Sequence, residues 1–146
     1  MIGEIYPYLD SSDEFIFTFI STGLQGNIIK IILFEEIPES PNTYNLAFGD
    51  WKNNDIDDKV ISNNGDLQLV MNTVANTMYL FLEKRPDSTI IFQGVDEKRA
   101  NLYQLIIKRK FVEIEPIFNV QGLNKGNWEE FNPKKVYIAF KLSLKN

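Results

Sequence analysis

The stretch "DLQLVMNTVANTMYLFLEKRPDSTIIFQG", residues 66–94, decides the fold. Leu67, Val70, Met71, Val74, Ala75, Met78, Phe81 and Leu82 recur at helical spacing and mark one apolar face. Gln68, Asn72, Thr73, Asn76 and Glu83 fall elsewhere on the same helix. Pro86 has no N–H and its ring crowds the preceding turn, so the helix ends before it. At the other end, Asn64 or Asp66 can accept the free amides of the first turn as an N-cap. "STIIFQG", residues 88–94, then reads as a strand. An amphipathic helix followed at once by an apolar strand predicts a sheet with a helix packed on it.

Upstream of this unit, "EFIFTFIS" alternates strictly, with Phe15, Phe17 and Phe19 on one face and Ile16 and Ile20 on the other. "TGLQGN" reads as a turn, and "IIKIILF" as the hairpin partner. "PESPN" interrupts pairing, and "TYNLAFGD" forms a third strand. "WKNNDIDDKVISNNGD" is acidic and amide-rich and reads as a long loop, in which "DKVIS" is a candidate short strand. Downstream, Asp96 caps a second helix over residues 97–109. "FVEIEPIFNV" and "KVYIAFKLSL" read as the last two strands, joined by "QGLNKGNWEEFNPKK". The expected fold is α+β, a mixed and mostly antiparallel sheet with two main helices. Its order is β-β-β-α-β-α-β-β, in a single domain over residues 1–146.

At 146 residues the chain can bury roughly 68–70% of its unfolded surface and needs no covalent staple. It contains neither Cys nor His, which excludes disulfides, thiolate or imidazole metal sites, and any catalytic triad with a His base. The start carries no basic region followed by an apolar run, and no apolar run is long enough to span a bilayer, so a cytoplasmic location is expected. The net charge of −5 is uneven. Residues 1–66 carry twelve acidic and three basic residues, whereas residues 67–146 carry eight and twelve. These are either solvated faces of opposite sign or, for Lys108, Arg109, Lys110, Lys134 and Lys135, a basic patch for an acidic partner. An acidic chain without a basic stripe argues against general nucleic-acid binding.

Two resemblances follow from these motifs. The run "YNLAFGD…DD…NNGDLQLVMNTVANTMYLF…P…IIFQG…R…LY" resembles a family of small Bacteroidota proteins catalogued as a domain of unknown function. The resemblance implies no activity. It implies a place in a two-gene module beside a small partner encoded nearby, as in toxin–antitoxin pairs. The element order is similar to the later part of the N-acetyltransferase (GNAT) superfamily. That resemblance implies acetyl-coenzyme A as a cofactor, its pyrophosphate held at the start of the first helix by Asn64, Gly65 and Asp66. It also implies Tyr103 as general acid. The chain departs from that pattern. Ser62 stands where Arg or Gln belongs, Leu67 where Gly or Ala belongs, and Arg99 where a small residue belongs.

The residues can also be read without either resemblance. A helix start preceded by glycine can receive an anion through free N–H groups, but Asp66 can occupy those donors itself. Asp50 is either a base raised by burial or a turn residue bonding nearby amides. Asp55, Asp57, Asp58 and Asp66 lack the spacing of a calcium loop, so no metal is expected. Arg99 and Tyr103 share a helix face at i, i+4, where Arg can fork a carboxylate or phosphate and Tyr can donate a proton. Trp128 and Phe131 form either a lid or partner contact, or packing over a sheet edge. Three functions remain open: an interaction protein, an acyltransferase with an atypical cofactor loop, and a small anion- or nucleotide-binding enzyme.

Overall fold

The computed structural model describes residues 3–57, 64–94 and 97–145, apart from the side chains of Lys98, Arg99 and Leu102. The elements are β1 (Leu9–Asp10), β2 (Ile16–Gly23), β3 (Gly26–Glu36), β4 (Thr43–Lys52), β5 (Asp55–Asp57), α1 (Leu67–Lys84), β6 (Thr89–Gln93), α2 (Glu97–Ile114), β7 (Phe118–Asn124), β8 (Asn127–Glu130) and β9 (Ala139–Leu144). The fold is α+β, with two helices and a nine-stranded open sheet in the order β1-β2-β3-β4-β6-β9-β7-β8, from which β5 hangs on β4. The sheet is mostly antiparallel. β4 and β6 run parallel where Thr43 to Asn45 meet Thr89 to Ile91, as a helical crossover requires.

The chain forms two compact units. The first takes residues up to Glu35 together with Leu46–Phe81. Here strand alternation and helix periodicity agree. Phe17 and Phe19 of β2 and Ile32 and Phe34 of β3 are buried, as are Val70, Met71, Val74, Met78 and Phe81 of α1. Phe34 stacks on Phe81 at 4.2 Å, and Phe15 lies tilted on the same ring at 6.0 Å. The residues before β1 belong to the packing of the first unit. They run along the polar side of α1: Tyr6 N–H donates to Thr73 Oγ1 at 2.9 Å, Asn72 Nδ2 to Glu4 O at 3.0 Å, and Tyr8 OH to Asn76 Oδ1 at 2.9 Å. Asn72 and Thr73 are therefore buried although they lie off the apolar stripe.

The second unit takes Glu36–Asn45 and the residues from Leu82 onward. Its core is a run of rings. Phe92 of β6 stacks on Phe140 of β9 at 5.4 Å and meets Tyr103 of α2 edge-on at 5.7 Å. Phe131 packs against both Phe111 and Tyr137.

Three sequence expectations are corrected. The helix expected over residues 97–109 continues to Ile114, so the start of "FVEIEPIFNV" is helical and only Phe118 onward is strand. Val112 and Ile114 alternate as in a strand, while Phe111 and Ile114 are one helical turn apart, so this short apolar stretch admits either element until Pro116. "QGLNKGNWEEFNPKK" is not a plain connection. Lys125 and Gly126 take φ of 50° and 82°, making a two-residue turn between β7 and β8. "WKNNDID" is likewise a hairpin, turned by Asn53 and Asn54 at φ of 53° and 62°. The candidate strand "DKVIS" and the cap Asp96 lie outside the described residues, Ser62 of that strand included.

Candidate functional site

Asn64, Gly65 and Asp66 lead directly into α1, as the sequence indicates. Their groups are engaged in holding the β2–β3 hairpin. Asn64 is 2% exposed. Its Oδ1 accepts from Gln25 N–H at 2.6 Å, and its main-chain oxygen accepts from Leu24 N–H at 3.1 Å. Its Nδ2 donates to Ser21 Oγ and to Gly26 O, each at 3.0 Å. One residue thus takes up both amides of the two-residue turn Leu24–Gln25 about forty positions earlier, one through its main chain and one through its side chain, and the carbonyl of Gly26 beside it. The approach is so close that a Cβ on Gly23 would stand 1.9 Å from Asn64 O, which explains glycine there. Gly65 takes φ of +78°, the left-handed conformation that glycine adopts without strain.

Asp66 completes this brace. Its Oδ2 accepts a short hydrogen bond from Tyr6 OH and another from Ser21 Oγ at 2.5 Å, while its main-chain oxygen accepts from Val70 N–H at 3.0 Å. Tyr6 in turn bridges to β2, since its hydroxyl accepts from Thr22 N–H at 3.1 Å. The hydroxyl of Ser21, which is fully buried, is shared by Asn64 and Asp66.

Asp50 lies in the same unit, on β4, and is 1% exposed. Lys30 of β3, 6% exposed, makes a short ion pair with its Oδ1. Lys52 Nζ stands 4.0 Å from the other oxygen. Asp50 is thus a buried partner of a buried lysine, while Asp66 answers to Tyr6 and Ser21, and the two carboxylates have separate partners. Asp55 and Asp57 belong to β5, and Asp58 lies outside the described residues.

The remaining candidates belong to the second unit. Tyr103 is 8% exposed, its ring set edge-on to Phe92. Arg99 is a residue of α2, but its side chain lies outside what the structure describes, so its fork and the Arg99–Tyr103 pairing do too. Trp128 sits in the edge strand β8 opposite Leu123, with Lys141 Nζ 4.5 Å from the centre of its ring. That is packing at a sheet edge. Phe131, by contrast, is a core ring.

Sequence reasoning did not find the network beside Trp128. Glu129 accepts from Asn124 Nδ2, Lys135 Nζ and Tyr137 OH, at 2.8, 2.9 and 2.8 Å. The hydrogen bond from Lys135, followed by those from Asn124 and Tyr137, lowers the Glu129 carboxyl to about pKa 2. Glu129 raises Lys135 in return. Burial, and then the bond to Glu129, raises the Tyr137 phenol. The main-chain N–H of Tyr137 donates to Gln104 Oε1 at 2.8 Å, and Gln104 Nε2 donates to Lys135 O, tying the segment before β9 to α2. A Cβ on Gly122 would stand 2.4 Å from the Tyr137 ring, so β7 leaves space for that ring by carrying glycine. The polar run between Phe131 and Tyr137 gives no sign of this pairing, because the partners meet only across a hairpin and a helix.

Fold and site together define an α+β protein in which the start of the first helix is closed by the chain's own side chains. The chain belongs to a family of unknown function, DUF6934, which matches residues 3–145. No curated protein and no solved structure matches it. No helix among the described residues is long and apolar enough to cross a membrane.

Proposed function

We propose that the chain is a small interaction protein with a regulatory role, one component of a two-gene, toxin–antitoxin-like module, carried on an acyltransferase-like fold without that chemistry. The observation that carries this reading is the use of the helix start. Asn64 and Asp66 act as braces on Ser21, Leu24, Gln25 and Tyr6. A carboxylate at the first turn also repels a pyrophosphate in the place where the transferase resemblance would seat coenzyme A. The residues present therefore do not fit that cofactor. The absence of Cys and His from the chain supports the same reading. Co-expression with the product of the neighbouring gene tests it. The expected result is one co-eluting complex, and separate elution of the two products overturns the proposal.

The succession of α1, β6, α2 and β7 on a mixed sheet supports a second reading, an acyl-CoA-dependent N-acyltransferase with an atypical cofactor loop or a related anion- or nucleotide-binding enzyme. Tyr103 would be its acid and Arg99 its anion clamp. Calorimetry with acetyl-coenzyme A at millimolar concentration separates the two: saturable heat favours the transferase, and no heat removes it.

A further inference from the structure

We infer that the gap between residues 6–9 and β2 is a binding slot for a small uncharged ligand, a flat and largely apolar molecule that presents an amide N–H and C=O on one edge, as a ring lactam does. The slot stands apart from the partner contact proposed above. Its place follows from where β1 stops pairing. β1 covers β2 with Leu9 opposite Thr18 and Asp10 opposite Phe17. Continuing that register puts Pro7 opposite Ile20, and proline has no N–H to donate.

The neighbours of Ile20 on this edge are engaged. Ser11 N–H donates to Ile16 O at 2.9 Å, Thr18 is paired with Leu9, and Thr22 N–H donates to the Tyr6 hydroxyl at 3.1 Å. On the opposite edge Phe34 N–H donates to Phe15 O at 2.9 Å. From Phe15 onward the odd-numbered residues therefore turn their main-chain groups to β3, and the even-numbered ones turn theirs away from it. Ile20 directs its N–H and C=O, side by side, into the slot. A single residue closed off on both sides has no room for an added strand. It matches a ligand that offers one acceptor and one donor on a single edge.

The walls set the rest of the chemistry. The slot has a volume of about 730 Å³ and is lined from both sides, by Pro7 and Leu9 on one and by Thr18, Ile20 and Ile29 on the other. Small-molecule pockets run to roughly 300–1,000 Å³, so the space suits a compact ligand. Leu9 is 76% exposed, and Ile20 and Ile29, directly opposite each other across β2 and β3, are 51% and 47%. A flat apolar body laid on them removes that surface from water. No described lining residue carries a formal charge, and the polar side chains are hydroxyls and the carboxamide of Asn27. An ionised ligand would lose hydration here without meeting a counter-charge, whereas a neutral one loses little. An apolar slot with a few convergent polar groups is the usual make-up of a small-ligand site.

The test titrates the isotope-labelled full chain with carbostyril and with N-methylcarbostyril, followed by amide NMR. The two probes share one flat apolar ring system, and methylation removes the donor. Carbostyril is expected to bind saturably, with the largest amide shift at Ile20. N-methylcarbostyril should bind about tenfold more weakly, the worth of one hydrogen bond. Ile20→Pro removes the open N–H and spares the rungs to β3, which Phe19 and Ser21 make, and should weaken carbostyril about tenfold. Ile29→Asn takes away part of the apolar floor and should weaken both probes about fivefold. Ile138→Ser, at an exposed position in the other unit, should leave both unchanged. Equal affinity for the two probes, no saturable binding of carbostyril, or shifts centred away from Ile20 and Ile29 overturns the slot. Should Ile20→Pro fail to fold, the probe pair on the native chain and Ile29→Asn decide the matter.

Discussion

The two units handle charge in opposite ways. In the first, Lys30 and Asp50 are withdrawn from water at 6% and 1% exposure. In the second, Lys135 and Glu129 pair with side chains 47% and 29% exposed, in contact with solvent and salt. The contrast teaches that the same ion-pair chemistry has different consequences. Removing one partner of a buried pair leaves a charge that has lost its compensation, at about 3–5 kcal/mol. An exposed pair is screened, and removing it changes little. The first pair links β3 to β4. The second holds one loop among several other contacts.

Breaking the buried pair gives the largest expected effect. Asp50→Ala should lower unfolding stability by about 3–5 kcal/mol in denaturant titration. The double change Lys30→Met with Asp50→Leu should recover most of that loss, because two apolar groups need no compensation. A double variant as unstable as the single would show that the pair's shape, rather than its charge, matters. Next comes the brace at the start of α1. Asn64→Ala removes the partners of Gln25 N–H, Gly26 O and Ser21 Oγ, and should cost about 1–3 kcal/mol by thermal melting. Ser21→Ala should cost less in the Asn64→Ala background than in the native chain, because the two residues share one network.

The smallest effect belongs to the exposed pair, and its signature is pH. The Glu129 carboxyl is lowered in the folded chain to about 2 from an ordinary 4.5. A lowered carboxyl contributes stability that is complete above its unfolded pKa and is lost as pH falls toward the folded one. The stability difference between the native chain and Glu129→Gln should therefore hold steady above about pH 5 and shrink as pH falls toward 2. A difference that grows on acidification would contradict the assigned hydrogen bonds.

Much of the fold could be read from periodicity, because β2 and α1 each bury one face and their apolar residues repeat accordingly. The reading failed where two periods coincide. Val112 and Ile114 alternate as in a strand, Phe111 and Ile114 repeat as in a helix, and the helix is the element formed, with Phe111 packed on Phe131. The hairpins at Asn53–Asn54 and Lys125–Gly126 carried local signals in their amide and glycine residues, and their polar composition disguised them as loop. The site was less legible. That Asn64 and Asp66 stand at a helix start was evident from neighbouring residues. That they clasp Ser21, Leu24 and Gln25 depends on pairing between segments far apart in sequence, for which no single stretch carries a pattern. Asp50 was recognisable as a residue at a strand end. Its lysine partner, twenty positions earlier in an apolar strand, became identifiable only through the sheet.

The clasp has a consequence for the order in which the chain acquires structure. A two-residue hairpin turn is ordinarily a local event completed within microseconds, well before distant segments arrive. Here the amides of Leu24 and Gln25 find their acceptors on Asn64, so this two-residue turn is finished by a residue about forty positions later. During synthesis β2 and β3 can align early, but their connection stays unsealed until the start of α1 has been made. Closure of that long loop, with its entropic cost, becomes a checkpoint: the hairpin and the helix mature together, and a chain truncated before Asn64 would carry a frayed, adhesive β-ribbon.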